Sequence, residues 1–351
     1  MLKPIPQSKS ISDQIVEMLG LIYGNWQMSV TYVFAELGIA DLLDDESKSI
    51  DAISSATDCN IDEMTIVLRC AATLGFIESK SKPGKYTLTS FGRLLTSHHP
   101  MSQRAAARLN GAPYRYQPWG NLLEFLKTGT GKNISSSHRL GTLNYLSDKP
   151  ELAKVFHAAM TNLSAGQDDI ISAYDFSNAK TIMDIGGGEG TFIRKILNKN
   201  PHLNGLLFDL PQAIQSAKKI SKDTASKNLS YHEGDFFESI PSNADVFLMK
   251  NVIHNWPKDK SVLLLQNVRK AMMDHSTNTS SDKKLLIIEY IISDDDEPNI
   301  AKWLDLNFRL LVGGQERTED QYAELANDAG LRISSVIKTG IGRHIIELKI
   351  K

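Results

Sequence analysis

The residues with the clearest chemical promise are the run Asp184-Ile185-Gly186-Gly187-Gly188-Glu189-Gly190. It lies between an apolar stretch at residues 181–185 and a stretch of helical period at 191–198, which predicts a strand, a tight turn and a helix. Glycines in such a turn let the backbone approach a ligand closely, the geometry of a nucleotide-type cofactor site. A dinucleotide fingerprint needs Gly-x-Gly-x-x-Gly. Counting from Gly186 puts Thr191 at the third position, and counting from Gly187 puts Glu189 at the second. The pyrophosphate-binding pattern is missing, which disfavours an NAD-dependent oxidoreductase. Asp209 ends the next predicted strand, 23 residues after Gly186, where an acid commonly accepts hydrogen bonds from ribose hydroxyls, and Asp235 follows the third strand in Gly234-Asp235-Phe236-Phe237. Each acid alone could equally cap a helix. As a set they suit a phosphate-free cofactor with ribose hydroxyls, an adenine amine and an α-amino group.

Such acids must be presented along one edge of a sheet, and the C-terminal half has the rhythm to build it. Strand-like stretches at residues 181–185, 205–209, 229–232, 246–250 and 285–290 alternate with helix-like stretches at 191–198, 212–220 and 260–273. This predicts an α/β, doubly wound, mostly parallel sheet covered by helices on both faces. The segment 275–284 is a polar loop.

The N-terminal part has a different pattern. Ile15, Leu19, Ile22, Trp26, Val30, Val33, Phe34 and Leu37 predict two amphipathic helices. A short helix, a second helix at about 61–74, and a hairpin (strands at 76–78 and 86–88, Pro83-Gly84 in the turn) complete a winged-helix arrangement. Its second helix, IDEMTIVLRCAATL, has two acids and only Arg69, so it lacks the phosphate contacts that dominate DNA affinity. Residues 98–174 read as largely helical lead-in. The expected division is a mostly helical, winged-helix dimerisation domain at 1–105 and a Rossmann-like catalytic domain at 106–351.

With 41% hydrophobic residues, 23% charged residues and a formal net charge of −2, the 351-residue chain is ordinary globular protein with no overall bias toward nucleic acid or anionic membrane. Cys59 and Cys70 are too few for a disulfide framework. The N-terminus lacks an apolar signal core, and the stretch 285–292 contains Glu289 and is too short to span a bilayer. A soluble, cytoplasmic protein with neither nucleic-acid nor membrane partner is the expectation.

In order along the chain stand DIGGGEG, FDLP (residues 208–211), GDFF (234–237), KNVIHNW (250–256) and GGQERT (313–318). This series resembles the S-adenosylmethionine-dependent O-methyltransferases, the family of plant caffeic acid, hydroxyindole and bacterial natural-product enzymes, and the similarity extends over nearly the whole chain. The resemblance implies S-adenosyl-L-methionine as cofactor and His254 as the general base that takes a proton from a substrate hydroxyl. A phenol near ~10 is mostly neutral at physiological pH, whereas a histidine near ~6.5 is available as a base. Glu289 and Glu316 correspond to the pair flanking that base. The resemblance further implies a cofactor site of Asp184, Gly186, Gly188, Asp209, Leu210, Asp235, Phe236, Lys250, Met160 and Ser164, and an acceptor site of Trp303, Asn307 and Phe308. It also implies a homodimer through the N-terminal region, where Tyr23 and Trp26 could reach the partner's acceptor site. The family commonly has aspartate after the base histidine; here Asn255 stands there, and the loss of a hard anionic ligand argues against a metal. Two other readings stand beside methyl transfer to a small phenol-like acceptor. A relative of the same fold could catalyse hydroxylation or a pericyclic step, and a cofactor-responsive DNA-binding regulator is the weaker alternative.

Overall fold

The structure, a computed structural model, describes residues 10–79, 84–129, 149–162, 167–220, 228–274, 282–311, 313–340 and 342–351. Ser164, Lys82-Pro83 of the hairpin turn and most of the polar loop (275–281) lie outside the described residues. These residues divide into two compact units, 10–129 with 149–162, and 167–351.

In the first unit the N-terminal helical periods become Ile11–Ile22 and Gly24–Glu36. Ser10 starts the first helix by accepting a hydrogen bond from the Asp13 amide. None of that helix's residues is buried, and Ile11, Ile15, Leu19 and Ile22 are exposed. The short helix is Ile50–Thr57 and the next Ile61–Thr73, capped by the Asn60 side chain on the Asp62 and Glu63 amides. The hairpin is present as β2 (Ile77–Ser79) and β3 (Lys85–Leu88); β1 (Lys48–Ser49) pairs with β3, giving the order β1-β3-β2. A two-residue strand has no period to read, so β1 had no signature in the sequence. Phe34, Ile39, Ile53, Leu68 and Phe76 form the core. Helices Arg104–Gly111, Pro113–Gly120, Leu122–Thr128 and Pro150–Asn162 belong to the same unit, and Arg108 holds Glu36 by two hydrogen bonds of 2.8 and 2.9 Å.

In the second unit the predicted strands appear as β4 (Thr181–Ile185), β5 (Asn204–Asp209), β6 (Leu229–Glu233), β7 (Val246–Lys250) and β8 (Lys284–Ile292), all paired in parallel. Short β9 (Arg317–Thr318) lies parallel beside β8, and β10 (Leu331–Lys338) and β11 (Arg343–Ile350) add an antiparallel edge. The order is β10-β11-β8-β7-β4-β5-β6. Alternate side chains separate two cores. Ile182, Leu207, Val246 and Leu248 pack on one face with helix Thr191–Lys199, while Met183, Leu206, Phe247 and Met249 pack on the other with helix Lys258–Met273. The chain leaves β4 toward β5 and later returns on its other side as β7, and the helices that follow β4 and β7 lie on opposite faces of the sheet, which makes the carboxyl ends of these strands the usual ligand position in such sheets. Among the described residues no helix is long and apolar enough to cross a membrane.

Candidate active site

The turn after β4 keeps its shape through backbone that only glycine adopts freely. Gly186, Gly188 and Gly190 have φ of 69°, 61° and 76°. Gly187 is excluded from carrying a side chain by space: a Cβ there would stand 2.4 Å from Asp184 Oδ2 and 2.6 Å from Leu207. Asp184 is thus buried beneath the turn, with Oδ2 lacking a hydrogen-bond partner. Burial, with Asp209 adding to it, pushes its carboxyl up to about 7 against the pull of Lys250. Lys250, at the end of β7, is itself held down to about 8, chiefly by burial, and lies 5.4 Å over the Phe192 ring. At Gly188 a Cβ would meet nothing within 4 Å, so the turn faces open space there.

Asp209 ends β5 and accepts from the Gly188 amide at 2.8 Å and the Leu210 amide at 2.7 Å, which ties the glycine turn to the next strand end. Each carboxylate oxygen retains a further acceptor direction. Asp235 is partly exposed and accepts from the Phe237 amide. An orphaned acid under the turn, a face free of side chains at Gly188, and acids with spare acceptor capacity fit a ligand rich in hydroxyls and amines and without phosphates.

The second cluster lies beyond β7, where a short 3-10 turn, Ile253–Asn255, carries His254. Its Nδ1 is 2.9 Å from Glu289 Oε2 and 3.3 Å from Glu316 Oε1. Glu289 comes from β8 and Glu316 from the residue before β9; both are fully buried, and His254 is 8% exposed. Burial alone would depress the imidazole, but the two carboxylates outweigh it and raise His254 to about 9. Burial likewise raises Glu316, against the pull of His254. The distances are short but none of the three atoms has hydrogen-bond geometry, so the pairing is electrostatic; two carboxylates beside Nδ1 favour the tautomer protonated there, with Nε2 as the open acceptor position. Phe308, on helix Ile300–Leu311, lies against the ring at 4.4 Å between centroids. Asn307 is partly buried and Trp303 is 50% exposed on the same helix. The three ligating atoms of His254, Glu289 and Glu316 lie within 4.8 Å of one another, so they could share a metal ion as well as a proton.

Several residues that sequence reading did not single out hold this cluster. Gln315 donates its amide to the His254 carbonyl at 2.8 Å, and a Cβ on Gly314 would stand 2.2 Å from that same oxygen. The fully buried Arg317 donates to the carbonyls of Trp256 (2.8 Å) and Ile253 (3.3 Å) and to Ser261 Oγ (3.1 Å). The segment carrying Glu316 is thereby laced to the turn carrying His254. The signal was only adjacency to Glu316. The partners of Arg317 are some sixty residues away in the chain.

Met160 lies in the first unit, on helix Pro150–Asn162, with 37% of its surface exposed. The other described candidates all belong to the second: Asp184, Gly186, Gly188, Asp209, Leu210, Asp235, Phe236 and Lys250 lie at or just beyond the carboxyl ends of β4 to β7, and His254, Glu289, Glu316 and Phe308 converge beside them.

Comparison with known proteins decides the family. Residues 119–332 match the O-methyltransferase domain, and residues 19–98 match the O-methyltransferase dimerisation domain. The chain belongs to the O-methyltransferase family. It is 33% identical over 336 residues to the phenazine O-methyltransferase PhzM of Lysobacter antibioticus, covering 95% of both chains. It is 29% identical over 326 residues to the 8-amino-8-demethylriboflavin N,N-dimethyltransferase of Streptomyces davaonensis, covering 91% of each. The solved structure of the mitomycin 7-O-methyltransferase MmcR superposes with a TM-score of 0.86 at 27% identity, covering 97% of this chain and 98% of that one. This methyltransferase is therefore an S-adenosylmethionine-dependent enzyme of known fold, with a dimerisation domain ahead of its α/β domain.

Proposed function

We propose that this methyltransferase methylates a hydroxyl of a small aromatic acceptor, with His254 as general base. The observation that carries the proposal is the geometry at Nδ1, where two buried carboxylates stand 2.9 and 3.3 Å from the ring, an arrangement that supports Nε2 as the base. S-adenosylmethionine, when bound, supplies an electrophilic methyl group on sulfonium. The residues around the glycine turn would hold it: Asp209 for the ribose hydroxyls, Asp235 and Leu210 at the adenine, Phe236 and Lys250 at its edge, and Gly186 and Gly188 as the surface it lies on, with Asp184 buried behind. Trp303, Asn307 and Phe308 would line the acceptor. With methyl transfer to the acceptor oxygen, Nε2 would take the hydroxyl proton, and Glu289 and Glu316 would stabilise the resulting imidazolium.

Incubation with methyl-labelled cofactor and a panel of phenols should transfer label, and His254→Ala should lose at least about a hundredfold in kcat while still binding S-adenosylhomocysteine. Undiminished turnover in that variant would remove the base assignment. The N,N-dimethylating relative motivates arylamines in the panel, since preferred label on nitrogen would change the acceptor class. The expected partner is a second copy through residues 1–105, supported by the dimerisation match and the uncovered apolar face of helix Ile11–Ile22, in a cytoplasmic enzyme with both cysteines free. Light scattering at the monomer mass would contradict the homodimer.

A further inference from the structure

Asn255 stands where the family resemblance leads one to expect aspartate, and the structure shows its amide engaged. Nδ2 donates to the carbonyl of Asn251 at 3.0 Å and to that of Val252 at 3.2 Å, and the Asn255 backbone amide also donates to Val252 O at 3.2 Å. These bonds wind residues 251–255 into the turn that presents His254. The turn needs such restraint because Asn251 has φ of 58°, a left-handed conformation that a residue with a side chain adopts at a cost and keeps only when its surroundings enforce it. The Asn251 amide is tied to Ile288 O at 3.2 Å, and its side-chain oxygen accepts from Arg343 at 3.4 Å. Asn255 restrains its carbonyl.

We infer that Asn255 is a positioning residue for the base, acting by donating two hydrogen bonds that a carboxylate cannot donate. The inference rests on His254 being the base. An ionised aspartate offers only acceptors. At this position it could not donate to either carbonyl, so both of the bonds that brace the turn in this chain would be lost. Restoring the family's usual residue should therefore damage the enzyme.

The test compares Asn255→Asp, Asn255→Ala and Asn255→Ser, alone and combined with His254→Ala, by kcat and KM for the acceptor and by S-adenosylhomocysteine affinity. The kcat order should be wild type, Ser, Ala, Asp, with losses of about tenfold for Ala and about a hundredfold for Asp. Cofactor affinity should stay within about twofold, and in the His254→Ala background the second substitution should cost less than about twofold. An Asn255→Asp enzyme as fast as wild type, or losses that multiply with that of His254→Ala, would overturn the inference. Should Asn255→Asp fail to fold, Ser against Ala decides, with equal rates overturning the inference. Full turnover in His254→Ala alone is a separate result that removes the base assignment.

Discussion

Replacing Glu289 with Gln removes a full negative charge 2.9 Å from His254 Nδ1 while nearly preserving shape. In the wild type His254 is raised to about 9, so at pH 7.5 most of the imidazole is protonated and only a minor share is able to act as base. An opposite charge at this range is worth roughly 1 to 3 pKa units, so Glu289→Gln should bring His254 down to about 6 to 8. The acid limb of kcat against pH moves to lower pH by that amount. The plateau above it falls about tenfold, because a base weaker by two units takes a proton less readily and its imidazolium has lost a stabilising partner. Near pH 7 the two effects oppose each other, so the variant's deficit shrinks as pH falls. The assay is S-adenosylhomocysteine production at saturating acceptor from pH 6 to 10, with two phenols of different acidity, since a limb belonging to the acceptor would follow the phenol. Stability changes in the same direction. A group whose folded pKa is raised contributes stability that is fully present below its unfolded value, here 6.5, and is lost as pH rises through the folded value, here about 9. The Tm advantage of wild type over Glu289→Gln should therefore narrow between pH 6.5 and 9. Parallel pH–rate profiles, with an unmoved limb and only a lower plateau, would refute this electrostatic account.

Two further predictions probe the supports. Gly314→Ala places a Cβ 2.2 Å from the His254 carbonyl, so the turn must shift by about 1 Å; kcat should fall about a hundredfold while S-adenosylhomocysteine affinity, set at the glycine turn, stays unchanged, and an active variant would show that the turn has slack. Asp184, raised by burial from 3.8 to about 7, contributes stability below pH 3.8 that is lost as pH rises through 7, at most about 4 kcal/mol, so Asp184→Asn should gain Tm relative to wild type between pH 5 and 8 in the absence of cofactor; a pH-independent difference would contradict the burial argument.

Much of the fold was legible because it is encoded locally. β4, β5, β6, β7 and β8 lie at or within two residues of the predicted stretches, and for β4, β5, β7 and β8 the reason is that short continuous apolar runs bounded by glycines and acids report burial on both faces of a parallel sheet. The antiparallel edge of β10 and β11 was not anticipated, although apolar residues alternate on both sides of the Thr339-Gly340-Ile341-Gly342 stretch, the pattern of a hairpin. What no local pattern contains is its joining to the parallel sheet, where residue 345 stands opposite residue 288.

The sequence by itself narrowed the type of ligand and the available chemistry. Glycine spacing disfavoured a pyrophosphate cradle, acids at successive strand ends suited a ligand rich in donors, and the ordered motifs pointed to methyl transfer. Tertiary structure alone decided how the chemistry is poised. Glu289 and Glu316 come from separate segments to one nitrogen of His254, Arg317 links the strap at Glu316 to a turn about sixty residues earlier, and the amide of Asn255 is turned into the backbone. Backbone propensity and apolar period act over a few neighbouring residues and leave their mark in sequence. A pKa set by buried charges about 3 Å apart depends on distances that exist only once the sheet has closed.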